Sequence, residues 1–124
     1  MSECPEALAK AKEKLGIGRY ERHVFLCGGP RCCATEVGDA AWEALKKEIA
    51  DRDLQNPGGN MCYRTKVGCM RVCTEGPMAV VYPEGTWYYG LTADKMPRFV
   101  EEHLINGAPV EEWVFAENEL PRLD

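Results

Sequence analysis

The chain has 124 residues, 45% of them hydrophobic and 28% charged, with a net charge of −5. That size suits one domain with one modest core, and the composition excludes a disordered tail. The acidic balance, with no basic stripe to neutralise phosphates, argues against nucleic acid and favours a basic protein partner.

No apolar run is long enough to span a bilayer, and Met1-Ser2-Glu3-Cys4-Pro5 lacks the charged and apolar blocks of a signal peptide. A cytoplasmic protein without membrane contact is expected.

From Glu6 to Leu15, "EALAKAKEKL" is rich in helix formers, with Ala7, Leu8, Ala11 and Leu15 on one face and Gly16 as the stop. Residues 1–21 are expected to form a helical arm. "RHVFLC", Arg22 to Cys27, is a compact aromatic and branched run stopped by Gly28-Gly29-Pro30, the pattern of a buried strand. Between Asp39 and Asp51, Ala41, Trp42, Leu45 and Ile49 recur at helical spacing, with Asp39 placed as the cap.

Asp53 to Asn60 carries turn chemistry, and "MCYRTKV" after it predicts an exposed or edge strand. "MAVVY", Met78 to Tyr82, predicts a strand buried on both faces, joined through Pro83-Glu84-Gly85 to a second strand at "TWYYG". Met96, Phe99, Val100 and Leu104 mark a last helix, with Pro97 in its first turn and Gly107 and Pro109 as its stop. From Val110 the chain is acidic and is expected to pack little beyond Trp113 and Phe115, leaving residues 116–124 as a tail.

The order strand, helix, strand, strand, strand, helix over residues 22–115 predicts an α/β domain with a thioredoxin-like open mixed sheet and helices on its faces.

Seven cysteines, at positions 4, 27, 32, 33, 62, 69 and 73, are many for a chain with no export signal. The odd count favours metal or redox chemistry over a disulfide framework. In this topology the loop after the first strand and the loop before the hairpin meet at one end of the sheet. The first brings Cys27, Cys32 and Cys33, and the second brings Cys69 and Cys73: four thiolates with one to spare.

Gly28, Gly29, Gly38, Gly68 and Gly76 let backbone N–H groups approach a negatively charged cluster, and Arg31 and Arg71 are placed to offset its charge or to point into solvent. The spacing C-x4-C or C-x5-C, followed about 36 residues later by C-x3-C, favours an iron–sulfur cluster over zinc, whose sites prefer C-x2-C. A thiol–disulfide enzyme would want C-x-x-C at a helix N-terminus, which is absent here.

"HVFLC" from His23, "GCMRVCTEGPMAVVYPEGTWYYG" from Gly68 and "VEEHLINGAPV" from Val100 resemble the thioredoxin-like 2Fe-2S ferredoxins over about residues 22–114. The resemblance implies a one-electron carrier with one 2Fe-2S cluster per chain on four cysteines, a homodimer, and redox proteins as partners. It carries ligand roles onto Cys27, Cys69 and Cys73. For the remaining ligand, the phase of Trp42-Glu43-Ala44-Leu45 selects Cys33, and the shorter gap of many relatives selects Cys32; Cys33 is the expected ligand and Cys32 its alternative.

Cys62 is expected to be a small buried residue and Cys4 incidental. His23 and His103 could ligate iron as in a Rieske centre, but the resemblance implies structural residues at both positions, and Trp87, Tyr88 and Tyr89 are expected in core or dimer surface rather than in an electron relay. Glu75, Glu84, Glu101 and Glu102 are expected to be solvated or docking carboxylates, so the chain is not expected to be an enzyme.

Two other functions compete. One is the cluster-bearing subunit of an NADH dehydrogenase or hydrogenase-type complex, disfavoured by the roughly 20 residues ahead of the first strand. The other is a zinc-binding or thiol-redox module on the same fold.

Overall fold

The computed structural model describes residues 5–56 and 60–120; Cys4 and the end of the acidic tail lie outside the described residues. Helix α1 spans Glu6–Leu15 and ends where Gly16 turns left-handed (φ 68°), its N–H reaching the carbonyls of Lys12 and Glu13. No α1 residue is buried.

Five strands follow: β1 (Arg22–Cys27), β2 (Cys62–Val67), β3 (Met78–Tyr82), β4 (Thr86–Tyr88) and β5 (Val114–Glu117). They form one open sheet in the order β2-β1-β3-β4-β5. β1 and β2 are parallel and every other neighbouring pair is antiparallel, so the expected mixed sheet is present and β2 is an edge strand.

The fifth strand was not expected. Val114–Glu117 pairs with β4, so the sheet takes in the first residues of the expected tail. Its residues are largely exposed, and hydrogen bonding rather than burial places it.

Helix α2 spans Thr35–Asp51, one turn earlier than the apolar spacing predicts. Asp39, expected as the cap, lies inside the helix, and Ala34 holds the capping position without a side-chain bond. The last helix, α3, starts as a 3-10 turn at Ala93–Lys95, is α-helical over Met96–Phe99 and widens to a π turn over Val100–Ile105. Pro97 sits in the first α-helical turn, where its missing N–H costs no intrahelical bond.

Both α2 and α3 cover the same face of the sheet. Val24, Leu26, Ala79, Val81 and Tyr88 meet Ala41, Leu45 and Ile49 of α2 and Met96, Phe99, Val100 and Leu104 of α3 in one core. Cross-strand register places His23, Phe25, Tyr63, Thr65, Val80, Tyr82 and Trp87 on the opposite, helix-free face. A second, smaller apolar cluster lies at the carboxyl end of β1, where Cys27, Cys32 and Met78 are buried with Val67, Met70, Cys33 and Trp87 around them.

Candidate metal centre

Cys27 is the last residue of β1, and the loop that follows is pressed between the sheet and the first turn of α2. A Cβ on Gly38 would stand 1.8 Å from the carbonyl oxygen of Gly28, so only two glycines allow helix and loop to touch there. The second loop, between β2 and β3, packs as closely: a Cβ on Gly76 would lie 2.5 Å from Cys32 Sγ, and the Gly76 N–H donates to the Cys32 carbonyl.

That second loop holds Arg71 (φ 71°), Cys73 (φ 59°) and Glu75 (φ 56°) in the left-handed region. Each costs on the order of 1–2 kcal/mol in a non-glycine residue, and such conformations concentrate at functional sites.

Between the loops is a cavity of about 230 Å³ lined by Cys27, Cys32, Cys69 and Cys73 together with Gly29, Pro30, Arg31 and Gly68. Cys27 and Cys32 are buried with sulfurs 3.6 Å apart, whereas Cys69 and Cys73 are exposed. Cys33 is half-buried, its sulfur 4.0 Å from that of Cys32, and it is not part of the lining.

The second ligand position, for which spacing left Cys33 and Cys32 open, thus has Cys32 in the cavity lining and Cys33 outside it. Spacing carries no signal for this, because neighbouring residues of an irregular loop point in unrelated directions.

Backbone donors face the sulfurs. The Arg71 N–H lies 3.2 Å from Cys69 Sγ, and the N–H groups of Gly29 and Met70 act on the Cys27 thiol. Burial pushes the Cys27 thiol up from its ordinary range and the neighbouring Cys32 thiol adds to this, while those two N–H groups oppose it. Arg31 is the only charged residue of the lining. Four sulfur donors, backbone N–H groups near them and close glycine contacts are the environment an iron–sulfur cluster needs.

Among the described residues, no three His, Cys, Asp or Glu side chains converge closely enough to hold one metal ion.

The remaining candidates lie elsewhere. Cys62 is buried in the main core, which pushes its thiol up to about 11. His23 stacks on Phe25 at 4.1 Å and bonds Thr65 at 2.7 Å. His103 is fully buried between Tyr88 and Glu84, away from every cavity cysteine.

Glu84 departs from the expected solvated carboxylate. It is half-buried, 3.1 Å from the Arg22 guanidinium and 3.2 Å from His103 Nε2. Glu101 pairs with Arg52 and Glu102 with Arg98 on the surface, and Glu75 is exposed.

No family model matches the chain. It is 33% identical over 97 residues to a 2Fe-2S ferredoxin of Clostridium pasteurianum, covering 73% of this chain and 91% of that protein. It is 42% identical over 108 residues to a 2Fe-2S ferredoxin of Aquifex aeolicus, covering 81% and 94%.

The solved structure of a thioredoxin-like 2Fe-2S ferredoxin from Aquifex aeolicus superposes with a TM-score of 0.66 at 32% identity, over 83% of this chain and 97% of that one. The chain belongs to the thioredoxin-like 2Fe-2S ferredoxins. Within such a ferredoxin, the two loops that close on the cavity are the part of this chain whose donors suit the cluster for which the family is named.

Proposed function

We propose that this ferredoxin carries single electrons through one 2Fe-2S cluster held between its two cysteine loops, with Cys27, Cys32, Cys69 and Cys73 as ligands. The observation that carries the reading is the convergence of four thiols from both loops on one cavity at the protein surface. Such a cluster, when bound, supplies a one-electron couple with no associated bond-making.

The chain's own residues hold and tune that couple. Cys27 and Cys32, both buried, would hold the cluster from the inner side of the cavity, and exposed Cys69 and Cys73 would hold it from the solvent side, where a partner can approach closely. The Arg71 N–H donates to Cys69 sulfur, the N–H groups of Gly29 and Met70 favour the negative state of Cys27, and Arg31 adds positive charge at the mouth. Cys32 is preferred to Cys33 because it lines the cavity and lies beside Cys27.

The protein acts as a carrier and not as an enzyme, exchanging electrons with redox proteins in the cytoplasm. No helix among the described residues is long and apolar enough to cross a membrane. The carrier works as a homodimer. In support, the helix-free sheet face presents His23, Phe25, Tyr63, Thr65, Val80, Tyr82 and Trp87, while the charged strand residues Arg22, Arg64 and Lys66 fall on the other side. Two acidic chains meet there with least repulsion.

Iron, sulfide and zinc counts on anaerobically purified protein, with its visible spectrum, test the reading. Two irons and two sulfides per chain with a red-brown colour are expected. Stoichiometric zinc that persists after attempted cluster reconstitution would overturn it.

A further inference from the structure

At the start of β2, the end of the strand remote from the cysteine loops, a cleft of about 200 Å³ lies between the last turn of α1, helix α2 and the sheet edge. Its floor is apolar: Ile49, Met61 and Cys62 are buried, and Leu15 stands beside them, 40% exposed. Helix α1 buries none of its own residues, so it leaves this edge of the core open.

Two cations, Lys14 and Arg64, line the cleft, and no carboxylate does. In a chain with 20 acidic residues against 15 basic ones, most cations find a partner, as Lys10, Arg19, Arg22, Lys47, Arg52 and Arg98 do. Lys14 and Arg64 have no carboxylate partner among the described residues. Of the other cations in that position, Arg31 and Arg71 belong to the cysteine loops, Lys95 donates to the Gly90 carbonyl and Lys12 is exposed on α1.

The Arg64 guanidinium lies over the Trp42 ring at 5.3 Å, which occupies one of its faces. A guanidinium donates in its own plane, and the Arg64 Nε–H is buried with no acceptor among the described residues. Such a donor is satisfied by an acceptor that enters with a ligand. The carboxylates around the cleft do not take this part. Glu48 bonds Arg52, Asp51 bonds Lys47 and Asp53 bonds Asn56, while Glu21 acts on Cys62 but lies outside the lining.

We propose that this cleft binds a small organic monocarboxylate, its charge on Arg64 and Lys14 and its apolar body on Ile49, Met61 and Leu15. The planar guanidinium fork matches a carboxylate. A dianion such as phosphate fits worse, because α1 and α2 both bring their electronegative C-terminal ends here and no glycine-rich nest or helix N-terminus lines the cleft. For a single charge those ends are less adverse, since N–H groups of Gly16, Ile17, Arg52, Asp53 and Leu54 cap their last carbonyls. The volume lies below the roughly 300 Å³ at which sites for drug-sized ligands begin, so the ligand is small. None of this depends on the cluster.

Hexanoate serves as the probe, with hexanol as its uncharged counterpart and inorganic phosphate as a charge without an apolar body. Each is titrated at constant ionic strength into the full, isotope-labelled chain with its cluster oxidised, and the Arg64 Nε–H resonance is followed with the amides of Leu15, Met61 and Cys62. Hexanoate is expected to move all four with a Kd of about 1 mM or tighter. Hexanol and phosphate are each expected to bind about tenfold more weakly or worse.

Arg64→Gln and Leu15→Asp are each expected to weaken hexanoate by about tenfold or more. Lys14→Gln alters only an exposed side chain and is expected to weaken it about threefold, whereas Lys12→Gln, outside the lining, leaves it within about twofold. No shift of the Arg64 resonance up to about 20 mM hexanoate overturns the site. Equal binding of hexanol, equal binding of phosphate, or wild-type affinity in both Lys14→Gln and Leu15→Asp overturns it as well.

Discussion

Cys32 and Cys33 are adjacent in sequence with sulfurs 4.0 Å apart, yet only Cys32 lines the cavity. Cys33→Ser is accordingly expected to keep two irons and the wild-type spectrum. Cys69→Ser or Cys73→Ser is expected to lose most of the iron or to shift the absorption bands. Cys32→Ser leaves Cys33 as the nearest thiol, so a cluster with an altered spectrum is expected, and the double variant should hold none. Iron counts and visible spectra across the set decide this, and loss of the cluster in Cys33→Ser alone would reverse the assignment.

His103 is the other residue whose surroundings define its state. Tyr88 donates its hydroxyl to Nδ1 at 2.6 Å, Nε2–H donates to Glu84, and the Val110 N–H donates to the Tyr88 oxygen. The network is satisfied by a neutral imidazole, and burial holds the His103 pKa below its ordinary 6.5. Burial pushes the Glu84 carboxyl up, but the bonds from Arg22 and His103 outweigh it and hold the group below 4.5.

Protonating His103 therefore favours the unfolded chain, so stability is whole above pH 6.5 and declines as the pH falls below it. Glu84 extends the loss below pH 4.5, and His23, also lowered by burial, adds to the upper part. Urea midpoints measured from pH 7.5 to 5 should fall for the wild type and fall less steeply for His103→Gln; parallel curves would contradict this. Tyr88→Phe, which leaves the Val110 N–H without its acceptor, is expected to cost about 1–3 kcal/mol at neutral pH.

At the scale of elements, the first turn of α2 matters most to the site. Gly38→Ala drives a methyl group into the Gly28 carbonyl, so helix and loop must separate. A loss of about 3 kcal/mol or more is expected, with weakened iron retention, both readable from thermal unfolding and iron content. An unchanged melting temperature would mean that the contact is not needed.

This turn also shows what the sequence could and could not reveal. Apolar spacing locates α2 from Ala41 onward because those residues face the core, but Thr35 to Val37 are exposed and Gly38 packs on Gly28 of the cysteine loop, so the first turn carries no such spacing. β1, β3 and β4 were legible as dense apolar runs. β5 was not, since "VFAE" has one exposed aromatic, no buried alternation and only pairing with β4 to keep it in place. Both cysteine loops were legible from Gly and Cys content, whereas the orientation of Cys32 against Cys33 is decided by packing on Gly76, far away in sequence.

Across the whole molecule, the two apolar clusters have different duties. The main core contains no cavity cysteine, while the smaller one contains Cys27 and Cys32. Removing iron anaerobically with a chelator in the presence of a reductant should therefore lower the melting temperature without abolishing cooperative unfolding or the helical circular dichroism signal. A chain that unfolds outright on losing iron would show that the core does not stand alone. The acidic charge belongs to this scale as well: a net charge of −5 favours solubility.

The central claim is a two-iron centre that takes up one electron, and an anaerobic coulometric titration followed by quantitative EPR tests it most directly. The account predicts uptake of one electron per chain, bleaching of the visible bands, and a spin-one-half signal that integrates to one spin per two irons. Uptake of two electrons with no paramagnetic signal would show thiol–disulfide chemistry in its place and contradict the account.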